Sequence, residues 1–172
     1  MFEVTEHIDI MADPQELFLV IGDLMTRGHY MPDGVIGMRE LAPRPPSETE
    51  KYLVGQRIAF VFDGESREHE VTNADEWDKA EALIVESRVR SQKGEVFRWR
   101  LSELTMGTYR VTVTFAASYG MLEKVSKGNA MKSQLVTTLK RLKEYVEDKR
   151  TYSGPRTFVS QNQPSYDPLD MP

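Results

Sequence analysis

The stretch TYRVTVTFAASYGMLEKVSKGNAMKSQLVTTLKRLKEYVEDK, Thr108 to Lys149, changes its hydrophobic period once, and that change decides the fold. In its first part Tyr109, Val111, Val113, Phe115 and Ala117 alternate with Arg110, Thr112 and Thr114. A period of two marks a half-buried strand. From Met121 the apolar residues fall instead at Met121, Val125, Leu135, Leu139, Leu142 and Val146, in helical steps that define one stripe. A strand therefore runs directly into a long helix, and the stripe of that helix needs a sheet to cover it. Gly128 and Lys132 interrupt the stripe in its middle. A small residue there either leaves the helix thin where it faces the sheet or marks a simple packing contact.

Upstream of this stretch the chain reads as short strands separated by turn signals. Leu83, Val85 and Val89 share one face of a strand over 82–90, and Phe97, Trp99 and Leu101 share one face of a strand over 95–104. Gln92-Lys93-Gly94 and Met106-Gly107 close the two turns. Further strands are expected over 35–41, 52–62 and 67–77, and Asp63-Gly64 is a hairpin signal between the last two. The run Ala42-Pro43-Arg44-Pro45-Pro46-Ser47 cannot form a ladder and is expected to be a loop. Consecutive strands joined by short turns make an antiparallel meander.

At the other end, Val4, Ile8 and Ile10 alternate with polar residues over 2–11, again with period two. Asp13, Pro14 and Glu16 form a helix start signal ahead of Leu17, Phe18, Val20 and Ile21. Gly22 ends that helix, and a second short helix is expected over 23–29. The order is strand, two short helices, six antiparallel strands, long helix. This predicts an α+β fold in which a seven-stranded, curved antiparallel sheet wraps a long C-terminal helix and leaves a concave space for a ligand. The domain is expected to span 1–150. The Pro-containing segment 151–172 is expected to be a flexible tail.

The chain resembles the Bet v 1-like superfamily, also called START-like or SRPBCC and labelled polyketide cyclase/dehydrase and lipid transport. The resemblance covers Phe2 to Asp148. It is carried by the opening strand running into Ala12-Asp13-Pro14-Gln15-Glu16-Leu17-Phe18 and by Gly22-Asp23-Leu24 leading to Tyr30 before Pro32, where a Trp is common. Val54-Gly55, Glu70-Val71-Thr72-Asn73, and Lys127-Gly128-Asn129 ahead of Leu135 and Leu139 complete it. The resemblance implies a helix-grip fold with an internal cavity. Because the superfamily holds carriers, sensors, cyclases, hydrolases and Hsp90 co-chaperone domains without a shared catalytic motif, it implies no catalytic residue.

Composition narrows the function classes. The 172 residues include no Cys, which excludes disulfides and thiolate metal sites, and the formal net charge of −5 argues against nucleic acid as a partner. No run approaches the roughly 18 apolar residues of a membrane span. The start Met1-Phe2-Glu3-Val4-Thr5-Glu6 has no basic, apolar signal character, so a cytoplasmic protein is the expectation. His7, His29 and His69 are far apart and give no metal spacing, and no cofactor is expected. Arg88, Arg90, Arg98 and Arg100 form a basic cluster near Glu86 and Glu103, read as a solvated outer face with an acidic-partner surface as the other reading.

The candidate site residues are those whose parity points inward. Glu6 lies between Val4 and Ile8, and His69 shares a face with Val71. These two are the candidate general acid/base groups, set against a rim carboxylate and a structural histidine. Gln56, Ile58, Phe60, Val71, Val85, Ser87, Phe97, Trp99, Tyr109, Val113, Phe115 and Leu135 are expected to line a ligand cavity, with core packing as the alternative role. The expected partner is a small hydrophobic molecule, a lipid, polyketide or aromatic metabolite, held by a carrier, sensor or sequestering protein. A cyclase or aromatase acting in the same cavity and an Hsp90-activator-like interaction protein are the alternatives. A homodimer is also considered.

Overall fold

Most strands form where the alternation placed them, but the one expected over 52–62 begins only at Arg57, after a turn at Val54 and Gly55 in which Gly55 has φ 94°; the first helix begins where a cap satisfies its first amides. The computed structural model describes residues 1–42, 54–74, 83–89 and 93–147. Strand β1 (Phe2–Met11) leads into helix α1 (Pro14–Gly22), and then come β2 (Val35–Ala42), β3 (Arg57–Phe62), β4 (Glu65–Ala74) and β5 (Leu83–Val89). Strands β6 (Val96–Thr105) and β7 (Thr108–Ala117) lead into the 27-residue helix α2 (Met121–Glu147). The expected Pro-rich loop beyond Ala42, the expected strand ends at Tyr52, Trp77, Ala82 and Arg90, and the tail 151–172 lie outside the described residues.

Asp13 caps α1 as its sequence position requires. Its Oδ1 accepts from the backbone N–H of Gln15 at 2.9 Å and of Glu16 at 3.1 Å, and Pro14 occupies the first turn, where a missing N–H costs nothing. The second short helix expected over 23–29 is instead a four-residue 3-10 turn, Thr26–His29. Asp23 holds the chain out of α-helical phase by accepting from Met25 N–H at 3.0 Å, and so short a segment gains too few bonds to nucleate an α-helix. At the hairpin between β3 and β4, Asp63 and Gly64 both have positive φ, 50° and 78°, the conformation that favours Asp-Gly.

All strand pairs are antiparallel, in the order β1-β7-β6-β5-β4-β3-β2. The register sets Glu6 opposite Val113, Trp99 opposite Val113 and Phe97 opposite Phe115. Ile10, Val111, Val113, Leu101, Val71 and Ile58 are fully buried with Leu17 and Ile21 of α1 and Leu142 of α2. Each such side chain contributes about 1.5–3 kcal/mol of transfer free energy. On the outer face Thr5 and Thr114 hydroxyls pair at 2.9 Å, and Arg110 forms a two-pronged bond to Asp9 at 2.9 and 3.2 Å. Arg98 and Arg100 are exposed on that outer face, with Glu86 at the register position opposite Arg98.

Helix α2 is buried only in its second half. Leu135, Thr138, Leu139, Arg141 and Leu142 are covered, but Met121 and Val125, which the stripe marked as inward, are 84% and 78% exposed. The early turns lean on β1, where a Cβ at Gly128 would stand 3.6 Å from the Phe2 ring, and on Lys93 and Tyr119, which meet Glu123 at 3.1 Å and Lys127 at 4.7 Å. The groove that Gly128 was expected to leave is thus occupied by Phe2. That distance is ordinary van der Waals contact, so Gly128→Ala is expected to stabilise the protein by about 1 kcal/mol through helix propensity. Equilibrium urea unfolding checks it, and a destabilised variant would show that the Phe2 contact tolerates no added methyl group.

Candidate functional site

A cavity of about 90 Å³ lies between the sheet and the buried part of α2. Phe60 and Phe62 of β3, Phe97 of β6 and Phe115 of β7 form its aromatic wall, and Met131, Leu135 and Thr138 of α2 face them. Tyr30, Met31 and Pro32, from the turn before β2, close one side. A dry cavity of roughly 150 Å³ holds benzene. At about 90 Å³ this cavity is smaller, so even a single-ring guest must displace side chains or extend out of it.

The wall is apolar but not uniformly so. His69 of β4 is 5% exposed, packs against Phe60 with ring centroids 4.9 Å apart, and stacks on Phe97 at 5.7 Å. Its Nδ1 is buried and has no hydrogen-bond partner among the described residues. Burial, reinforced by the positive charges of Arg27 and Arg67, lowers its pKa to about 3. The imidazole is therefore neutral near pH 7, and it does not titrate there as the acid/base role required. Trp99 of β6, 3% exposed, is a second lining residue whose buried polar atom, Nε1, has no partner among the described residues.

Three charged groups join this wall. Arg27 is buried, donates through Nε to the carbonyl of Ile21 at 2.8 Å, and places its guanidinium 5.6 Å from the centre of the Trp99 ring. Desolvation lowers its pKa, opposed by Tyr30 and Asp23. Glu95 is buried and accepts a 2.6 Å bond from the Tyr119 hydroxyl, and burial together with that carboxylate raises the Tyr119 pKa. Arg67 packs over the Phe62 ring at 5.2 Å and pairs with Glu65 at 3.5 Å.

Of the residues singled out by parity, the structure brings His69, Phe60, Phe97, Trp99, Phe115 and Leu135 together on the cavity wall. Ile58, Val71, Tyr109 and Val113 are buried in the core and do not line the cavity. Val85 and Ser87 occupy the register positions opposite Trp99 and Phe97. Gln56 is fully buried but its amide is already engaged: Oε1 accepts from Leu24 N–H at 2.8 Å, and Nε2 donates to Asp23 at 2.9 Å and Glu40 at 3.1 Å. It is a tie between chain segments, not a ligand contact. Glu6 does share the inner face, but it faces Lys132 of α2, with Nζ 3.7 Å from Oε1, and does not line the cavity.

Parity did not find Arg27, Glu95, Gln134 or Thr138, all of which line the cavity. Arg27 sits in a 3-10 turn with no hydrophobic period, and Glu95 precedes β6 directly after a turn. Thr138 is one step from Leu135 and Leu139 on the helical stripe, which was the available signal.

No protein-family model matches the chain, and no curated protein matches it in sequence. Solved structures do match in fold. A START superfamily protein from Mycobacterium smegmatis is 10% identical over 84% of this chain and 99% of its own, with a TM-score of 0.57. The di-domain ARO/CYC protein BexL of the BE-7585A biosynthetic pathway is 14% identical over 86% of this chain and 47% of its own, at 0.58. The Aha1 dimer from Colwellia psychrerythraea is 14% identical over 86% and 97%, at 0.56. The antiparallel strands and long C-terminal helix of this chain are the Bet v 1-like, START-like helix-grip fold.

The buried imidazole gives stability a pH dependence of known sign. In the unfolded chain His69 titrates near 6.5, and in the folded chain near about 3. Between these values the unfolded state holds a proton that the folded state lacks, so stability falls as pH falls below 6.5, by up to about 1.4 kcal/mol per pH unit. His69→Phe is expected to flatten that slope above about pH 5, before most carboxylates titrate. Urea unfolding at half-unit pH intervals reads the difference, and equal slopes in both proteins would refute the neutral buried imidazole.

Proposed function

We propose that this protein binds a small, largely apolar molecule in the cavity, as a carrier, sensor or sequestering protein. The observation that carries the reading is a set of aromatic walls that retains two buried polar atoms, His69 Nδ1 and Trp99 Nε1, without partners among the described residues. An unsatisfied buried donor or acceptor costs about 1–3 kcal/mol, and a guest that bonds to it recovers part of that cost. Enclosure by Phe60, Phe97, Phe115 and Leu135 supplies the apolar contact such a guest needs. The START superfamily and ARO/CYC proteins of the same fold agree with a small-molecule role.

A cyclase-type reaction in the same cavity is the second possibility, motivated by the likeness to the ARO/CYC protein. Binding is preferred because His69, the acid/base candidate that does line the cavity, is held neutral near pH 7 with a lowered pKa, which makes it a weak base there. A neutral imidazole still orients a guest by hydrogen bonding.

Native mass spectrometry of the purified protein, followed by denaturing extraction, is expected to release an apolar compound or to find an empty site that a hydrophobic-metabolite panel stabilises. Ligand at about 100 times its Kd raises stability by about 2.7 kcal/mol, a readily measured rise in Tm. Met131→Trp, which fills the cavity from the half-buried wall of α2, is expected to abolish that rise while leaving the protein folded. An empty protein that no compound stabilises, or a Met131→Trp protein that binds as the parent does, overturns the reading.

A further inference from the structure

The cavity wall carries more than apolarity, and one of its unpartnered polar atoms is a donor only. Trp99 Nε1 is a donor and cannot accept. It therefore asks its guest for an acceptor. Among the described residues the guanidiniums of Arg27 and Arg67 line the cavity with one carboxylate, Glu95, which accepts from the Tyr119 hydroxyl; Arg67 pairs with Glu65 outside the lining at 3.5 Å, and Asp23 acts on Arg27. Arg27 is the buried one of the two, and its charge lies beside Trp99, with Cζ 5.6 Å from the ring centre. In a site shielded from water a fixed guanidinium acts strongly on whatever charge the guest brings. A donor that needs an acceptor, next to a buried cation, selects for an anionic oxygen. The same two charges add to burial in keeping His69 neutral.

His69 occupies a different part of the wall. It stacks on Phe97, whereas Trp99 meets Tyr30 edge-on with centroids 6.1 Å apart. Its unpartnered Nδ1 thus addresses another atom of the guest, along an apolar body that lies against Phe60, Phe97 and Leu135.

Resting on the cavity-binding reading, we infer that the guest is an amphipathic organic acid: an anionic oxygen, as in a carboxylate, placed at Trp99 Nε1 beside Arg27, an unsaturated apolar body, and a second polar atom within reach of His69 Nδ1. Neutral hydrocarbons enter the same cavity but leave both polar atoms unsatisfied.

The test uses the full chain and three probes of one shape: 2-naphthoate, its methyl ester, and naphthalene. Calorimetry is expected to give 2-naphthoate an affinity about 10-fold or more above the ester, the scale of one charge-assisted hydrogen bond. In ¹⁵N-labelled protein the Trp99 indole N–H resonance, assigned by its loss in Trp99→Phe, is expected to move downfield with 2-naphthoate and not with naphthalene. Trp99→Phe is expected to remove most of the acid-over-ester preference, read as the ratio of the two affinities in that variant. If that variant does not fold, the Trp99 resonance is assigned as the indole signal that remains in Trp77→Phe, and its shift decides alone. Ester or naphthalene binding as tightly as the acid, with no indole shift, overturns the anionic head and leaves the apolar cavity standing. Failure of all three probes to bind overturns both.

Discussion

Two buried arginines hold the segment between α1 and β2 in place, and the cavity exists because they do. Arg27 and Arg141 are 3% and 6% exposed. A guanidinium taken out of water costs several kcal/mol unless its donors are met, so each must be met by a specific set of partners. Arg27 reaches the carbonyl of Ile21 at the end of α1 and lies over Trp99 of β6. Arg141 of α2 reaches the carbonyl of Met31 at 2.7 Å and the carboxylate of Asp33 at 2.8 Å. One arginine ties the segment to the sheet and the other ties it to the helix. His29 stacked on Tyr145 at 4.8 Å and the Tyr30 hydroxyl bonded to Val20 carbonyl at 2.8 Å add smaller ties.

A segment pinned from both sides spans the gap instead of filling it. Tyr30, Met31 and Pro32 become wall, and Leu24 and Tyr30 are fully buried. Gln56 completes the arrangement by satisfying the Leu24 amide from the start of β3, so the turn carries no unmet backbone group at that point. The Gln56 amide is bonded through both of its ends. His69 Nδ1 and Trp99 Nε1, on two residues that line the cavity, are left without partners among the described residues.

The period of the hydrophobic pattern made the strands and the final helix legible, because alternation and the 3.6-residue stripe are direct consequences of which side chains meet the core. The row Tyr109, Val111, Val113, Phe115 and Ala117 is buried to the last residue. Parity also carried His69 and Trp99 to the cavity. It could not separate cavity wall from core, since Val113 and Phe115 lie in one row on one strand and only Phe115 reaches the space. It failed for Arg27, because a charged residue in a 3-10 turn has the sequence signature of a surface residue and its burial is decided by Trp99 and Ile21, distant in sequence or bonded through the backbone. It placed Glu6 on the correct face but could not show Lys132 waiting opposite, since that pairing depends on how α2 lies across β1.

The stripe on α2 misled for a reason that bears on binding. Its apolar positions at Met121 and Val125 are exposed, and burial begins only near Leu135, the first fully covered residue of the helix. The early turns therefore have few contacts to lose. Met131 and Gln134 sit at the boundary between the loose half and the packed half, and both line the cavity. A cavity of about 90 Å³ has to adjust to admit even a single aromatic ring, and adjustment costs least where packing is sparse. Met is also the side chain best suited to re-packing around irregular guests, having no branch and several soft torsions. The wall is thus firm on the sheet side, where stacked rings and the buried guanidinium fix the polar atoms, and yielding on the helix side. A guest is oriented by the first and accommodated by the second.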